Sequence, residues 1–251
     1  MNVSKIKEIV SYIIPLQIET RTSFHNPLLE VTLRNGRYVL DAKDSNYSFG
    51  ALYTIFKNTF NELSIKDKNI NSCLLMGLGG GSVVNLLRKK HQLNMPITAV
   101  EIDPVVIELG NKYFELNNYK DLYIVNEDAF DFAKKCENTF DLIIIDLYIN
   151  DEVPGKFHTK EFISYLEKMS HKSTVILFNK MLNSNRAKED YSNLVKDMSV
   201  KFGSVSLLTY QVSEVTNKII CVNTGRVTDR ERQKEKMRAD IPIILLNPKL
   251  N

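Results

Sequence analysis

At 251 residues the chain is long enough for one full α/β domain with modest additions and too short for two large ones. Its 33 Lys and Arg against 30 Asp and Glu leave a net charge of +3, which gives no electrostatic case for a nucleic-acid partner; a small molecule or a local protein surface is expected instead. Three cysteines without a CxxC pair and four histidines at no ligand spacing argue against a metal site. The absence of a long apolar run argues against a signal peptide or membrane span, so a cytoplasmic protein with reduced thiols and no membrane contact is expected.

In chain order, Val3, Ile6, Ile9, Val10, Ile13 and Ile14 form a helical apolar stripe that Pro15 stops, the pattern of a packing surface. Residues 29–33 and 37–41 then alternate in period two around Asn35 and Gly36, both tolerant of positive φ, which predicts a β-hairpin. The hairpin reads as a small N-terminal β subdomain able to cover or extend the mouth of a site. A helix is predicted from about Ala51 to Leu63, with Leu52, Ile55, Phe56, Phe60 and Leu63 on one face. The expected division is an N-terminal part over 1–65, a nucleotide-binding domain over 66–225 and a charged tail over 226–251.

The richest stretch is Leu74-Leu75-Met76-Gly77-Leu78-Gly79-Gly80-Gly81-Ser82, followed twenty residues after Gly81 by Ala99-Val100-Glu101-Ile102-Asp103. An apolar strand empties into a glycine loop, a helical pattern follows, and the next apolar run ends on a carboxylate. This is the layout of a nucleotide-binding βαβ unit: Gly77, Gly79, Gly80 and Gly81 let the backbone approach a ligand, while Glu101 accepts hydrogen bonds from ribose hydroxyls beside Ile102. Strand and helix patterns keep alternating over 73–77, 83–93, 96–101, 104–115, 122–125, 129–136, 140–146, 159–169, 173–178 and 186–202. Leu142-Ile143-Ile144-Ile145 is apolar at every position, the mark of a strand buried on both faces of a parallel sheet. Residues 205–210 and 218–222 read as a closing antiparallel hairpin. A parallel sheet closed by an antiparallel last strand predicts an α/β, Rossmann-like class I S-adenosylmethionine methyltransferase fold, in contrast to the wholly parallel sheet of dinucleotide-binding oxidoreductases.

Two further strand ends carry acids. Asp128 and Ala129 follow the strand at 122–125; Asp128 either accepts from an adenine amine while the next backbone N–H meets a ring nitrogen, or caps the following helix, and the roles are compatible. Asp146 closes the strand at 140–146, where open α/β sheets bind ligands. It either orients or deprotonates an amine nucleophile, balances a sulfonium charge, or caps a turn. Tyr148 is a substrate wall or a packing residue, Asp151 and Glu152 read chiefly as loop acids, and Tyr47 and Asp151 complete the candidate acceptor contacts.

Residues 75–81, Val100-Glu101-Ile102-Asp103-Pro104, Lys112-Tyr113-Phe114, Glu127-Asp128-Ala129 and Phe140-Asp141 through Asp146 together resemble the spermidine synthase family of aminopropyltransferases, over roughly residues 27 to 182. The resemblance implies a class I methyltransferase fold behind a small β domain, and S-adenosyl-L-methionine or its decarboxylated form as cofactor, with Glu101 on the ribose and Asp128 near the adenine. It also implies a possible homodimer. Two positions depart from the family. Aminopropyltransferases carry an acid after the glycine run that meets the decarboxylated cofactor's amine; here Ser82 follows the run, removing a like-charge clash with the carboxylate of the intact cofactor. The family's second diamine-holding acid, three residues past Asp146, is replaced by Ile149. The expected function is therefore S-adenosylmethionine-dependent methyl transfer to a small or peptidic acceptor. The alternatives are aminopropyl transfer in polyamine synthesis, a non-catalytic nucleoside-binding protein, and an NAD-dependent oxidoreductase that the antiparallel hairpin disfavours.

Overall fold

A computed structural model of the chain describes residues 5–42, 51–148, 152–203, 205–212, 215–224 and 244–246. In chain order the elements are α1 (Lys5–Val10), β1 (Leu16–Arg21), β2 (Leu29–Arg34), β3 (Arg37–Ala42), α2 (Ala51–Glu62), β4 (Cys73–Met76), α3 (Ser82–Asn85), β5 (Ile97–Glu101), α4 (Pro104–Tyr113), β6 (Leu122–Asn126), α5 (Ala129–Lys135), β7 (Phe140–Ile145), α6 (Lys160–Lys168), β8 (Ser170–Met181), α7 (Asn185–Phe202), β9 (Val205–Val212), β10 (Val215–Asn223) and β11 (Ile244–Leu246). They fall into two compact units, Met1–Lys68 with Gly77–Ala129, and Asn69–Met76 with Phe130–Asn251. Among the described residues no helix is long and apolar enough to cross a membrane.

In the first unit, β2 and β3 pair antiparallel with Arg34 opposite Arg37, so Asn35 (φ 49°) and Gly36 (φ 73°) form the expected two-residue turn. A third strand, β1, pairs antiparallel with β2 and was not foreseen, although Leu16, Ile18 and Thr20 alternate directly after Pro15. The N-terminal stripe forms only one and a half turns of helix. Ile6, Ile9 and Ile13 stay exposed among the described residues instead of packing. Of the predicted inner face of α2, Ile55, Phe56 and Phe60 are buried, Leu63 lies half-buried just past the helix, and the Leu52 side chain lies outside the described residues. The parallel pair β5–β6 sets Glu101 opposite Asn126. The segment expected as one helix over 83–93 is instead the short α3 followed by a π-helical turn at Leu86–Lys90, with His91 N–H bonded to Leu86 O at 3.0 Å.

In the second unit the strand order is β11-β9-β10-β8-β7-β4. β4 with β7 and β7 with β8 are parallel, while β10 runs antiparallel to both β8 and β9, as the closing hairpin predicted. The apolar strands are the core. Ile143, Ile144 and Ile145 on β7 and Ile176, Leu177 and Phe178 on β8 are fully buried, each contributing about 1.5–3 kcal/mol of transfer free energy. Beside them, Phe130 stacks on Phe162 with ring centroids 6.1 Å apart, and Phe157 meets Phe162 edge-on at 5.0 Å.

Candidate functional site

The glycine loop of the first unit leaves β4 and enters α3 through Gly77 (φ 92°), Gly79 (φ 51°) and Gly81 (φ 78°). At Gly79 and Gly81 these left-handed angles exclude most side chains. A Cβ on Gly81 would also collide with Leu116 Cδ2, so this glycine makes room for a core leucine. Below the loop, the buried Glu101 closes β5. Its Oε2 accepts the Leu78 and Gly79 backbone N–H groups, each at 3.1 Å, and its Oε1 accepts Asp103 N–H at 3.1 Å. Burial raises the pKa of this carboxyl, and the three backbone donors pull it back down. Glu101 therefore holds the loop as well as ending the strand, a role its sequence position did not reveal.

Around it sits a set of positioning contacts. Asp103 is fully buried and caps α4 by accepting Val105 N–H at 2.9 Å; it also accepts the Asn26 amide at 2.6 Å and the Ser23 hydroxyl. Asn126 donates to Glu101 O at 2.9 Å and Ile102 O at 3.0 Å, pinning the end of β5 beside the end of β6. Asp128, half-buried, and Ala129, buried, follow at the start of α5. Thus Gly77, Gly79, Gly80, Gly81, Ser82, Glu101, Ile102, Asp128 and Ala129 all lie in the first unit, on the loop and at two adjacent strand ends. Ser23, Asn26 and Asn126 escaped sequence reading. The polar Ser23 and Asn26 stand in an irregular segment with no motif, and Asn126 had only its strand-end position to mark it.

In the second unit Asp146 follows β7 and its N–H bonds Met76 O at 2.9 Å. Asn179 Nδ2 donates to Asp146 Oδ1 at 2.9 Å, and Asn217 Nδ2 donates to Asn179 Oδ1 at 3.3 Å. Both asparagines are buried, and burial pushes the Asp146 carboxyl up to about 6. The group is then charged at neutral pH yet basic enough to accept a proton. An amide interrupting each of two apolar strands was the available signal for Asn179 and Asn217. Tyr148 is half-buried, while Tyr47 and Asp151 lie outside the described residues.

Residues 62–231 match the spermine/spermidine synthase domain. The chain belongs to that family. It is 27% identical over 175 residues to the eEF1A lysine and N-terminal methyltransferase homolog of Drosophila melanogaster, covering 65% of this chain and 25% of the fly protein. It is also 29% identical over 162 residues to the polyamine aminopropyltransferase of Sulfurisphaera tokodaii, covering 61% and 53%. The chain thus matches about a quarter and about half of the length of these relatives. Among solved structures, spermidine synthase from Thermotoga maritima superposes with a TM-score of 0.68 at 15% identity over 92% of this chain and 81% of that one. Human methyltransferase-like protein 13 in complex with SAH gives 0.56 at 16% identity over 79% and 94%. These likenesses are of fold: the Rossmann-like α/β fold common to spermidine synthase and class I methyltransferases, here with the expected antiparallel β10 and small N-terminal sheet.

Proposed function

We propose that this member of the spermidine synthase family transfers the methyl group of S-adenosylmethionine to a nucleophile on a small or peptidic acceptor. The observation that carries the reading is the chemistry of the glycine loop: residues 77–82 contain no carboxylate, and Glu101 beneath them is already bonded by loop N–H groups. An acid in this loop would repel the carboxylate of the intact cofactor, whereas Ser82 at the end of the glycine run carries no such charge.

The residues suit such a ligand. A carboxylate offers about four acceptor positions, and three donors already reach Glu101, which leaves capacity for a ribose hydroxyl. When bound, the cofactor supplies an electrophilic methyl carbon on a sulfonium. Glu101 would hold the ribose, Asp128 would accept from the adenine amine, and Asp146 would orient the acceptor's amine or take its proton. Asn179 would keep one Asp146 oxygen fixed and leave the other as an acceptor.

Aminopropyl transfer is the second reading, favoured by relatives whose names are polyamine aminopropyltransferase. Calorimetric titration with S-adenosylmethionine, its decarboxylated form, methylthioadenosine and NAD separates the readings. Tighter binding of the intact cofactor supports methyl transfer. A strong preference for the decarboxylated form, together with conversion of putrescine to spermidine, installs aminopropyl transfer instead. Binding of NAD alone would discard both.

A further inference from the structure

In the first unit, Glu19, Arg21 and Ser23 meet Lys112, Glu108 and Asp103 in turn, so β1 and the segment after it run back along α4 towards its N-cap. Lys112 Nζ donates to Glu19 at 2.6 Å, and Arg21 grips both Glu108 oxygens at 3.0 Å, which fixes the strand beside the helix. At the N-cap the Ser23 hydroxyl oxygen accepts Asn26 N–H at 2.9 Å and His25 N–H at 3.2 Å, closing residues 23–26 into a tight turn. That turn holds Asp103. The Ser23 hydroxyl and the Asn26 amide, the latter at 2.6 Å, both donate to Asp103 Oδ2, while Oδ1 takes Val105 N–H. Two of the three donors to this fully buried carboxylate therefore come from the N-terminal segment.

The two oxygens of Glu101 are not equivalent. Oε2 accepts two backbone N–H groups, from Leu78 and Gly79, which fills its lone pairs. Oε1 accepts only Asp103 N–H, at 3.1 Å, and keeps one position open. We propose that Oε1 is the atom of Glu101 that accepts a ribose hydroxyl of the cofactor, and that Ser23 and Asn26 are positioning residues that aim it by pinning Asp103. The pinned carboxylate and the N–H on Oε1 belong to one residue, so holding the first holds the second. Without Ser23 or Asn26, a buried charge short of a donor turns towards other donors and carries its N–H with it. Oε1 is then released, and its bond to the ribose loses direction. This role presupposes the adenosyl cofactor proposed for the glycine loop, and it makes ribose selectivity a property of the N-terminal segment as well as of that loop.

The test is a binding cycle on the full chain. S-adenosylhomocysteine and its 2′-deoxy and 3′-deoxy analogues are titrated calorimetrically into wild type, Ser23→Ala, Asn26→Ala and Ser23→Thr, with Tm recorded for each. In wild type at least one deoxy analogue is expected to bind about tenfold or more weakly than the parent, the value of a hydrogen bond to a charged acceptor. In Ser23→Ala and Asn26→Ala that ratio is expected to fall to about threefold or less, through weaker binding of the parent, whereas Ser23→Thr keeps the hydroxyl and should keep the ratio. A lowered Tm with the wild-type ratio intact in both alanine variants overturns the positioning role and leaves the cofactor site standing. Equal wild-type affinity for all three ligands shows instead that Glu101 holds no ribose hydroxyl, and absence of binding refutes the cofactor itself; either outcome removes the role together with its premise.

Discussion

Asp146→Asn changes charge while keeping shape, because the Asn179 amide can still donate to the retained carbonyl oxygen. Burial lifts the Asp146 pKa from 3.8 to about 6. The native state therefore holds this proton more tightly than the unfolded chain does, and stability is lost as pH rises from about 4 through about 6. Two units correspond to about 3 kcal/mol, and the half-buried position reduces that to about 1–3 kcal/mol. Asp146→Asn should thus unfold at higher urea than wild type at pH about 7, and the gap should close below pH about 4. The same variant should lose about 100-fold or more in turnover, since a carboxylate base is gone. Wild-type turnover should rise with pH to a plateau above about 6, where the base is ionised. A variant less stable than wild type at neutral pH refutes the desolvation argument. Turnover within about threefold of wild type makes Asp146 a structural cap.

Glu101→Ala should weaken cofactor binding by about 1.5–3 kcal/mol in calorimetry, through loss of the ribose acceptor and of loop support; unchanged affinity in a folded protein removes Glu101 from the site. Gly79→Val should abolish cofactor binding with the fold largely kept, whereas Gly81→Val should also lower Tm because its side chain meets Leu116. Full affinity in both would make the loop purely structural. Ser82→Asp, or Gly80→Asp where φ is not positive, should shift preference toward the decarboxylated cofactor by about 1–3 kcal/mol, and an unchanged ratio of affinities counts against the loop argument. Glu19, held down to about 2 chiefly by its hydrogen bonds from Lys112 and Tyr113, contributes stability above its unfolded pKa that is lost as pH falls toward 2. Glu19→Gln should cost about 1 kcal/mol at neutral pH after solvent screening, and equal losses at pH about 3 and 7 would contradict that origin.

Sequence alone determined what depends on a few adjacent residues. Asn35-Gly36 forces a tight turn because both residues accept positive φ. Unbroken apolarity over Leu142–Ile145 demands a strand covered on both faces. A strand, glycine loop and acid at set spacing specify a strand–loop–helix–strand run that ends on Glu101. The three-residue β11 went unread because its pattern is too brief, and β1 because only Leu16 and Ile18 of its six residues are apolar. Tertiary structure decided the rest. Glu101 serves the loop 22 residues upstream, Asn179 reaches Asp146 from β8, and Asn217 on β10 reaches Asn179 in turn. Periodicity assigns a side chain to a face, but which distant groups share that face follows from strand order and register, and burial there sets the charge each group can carry.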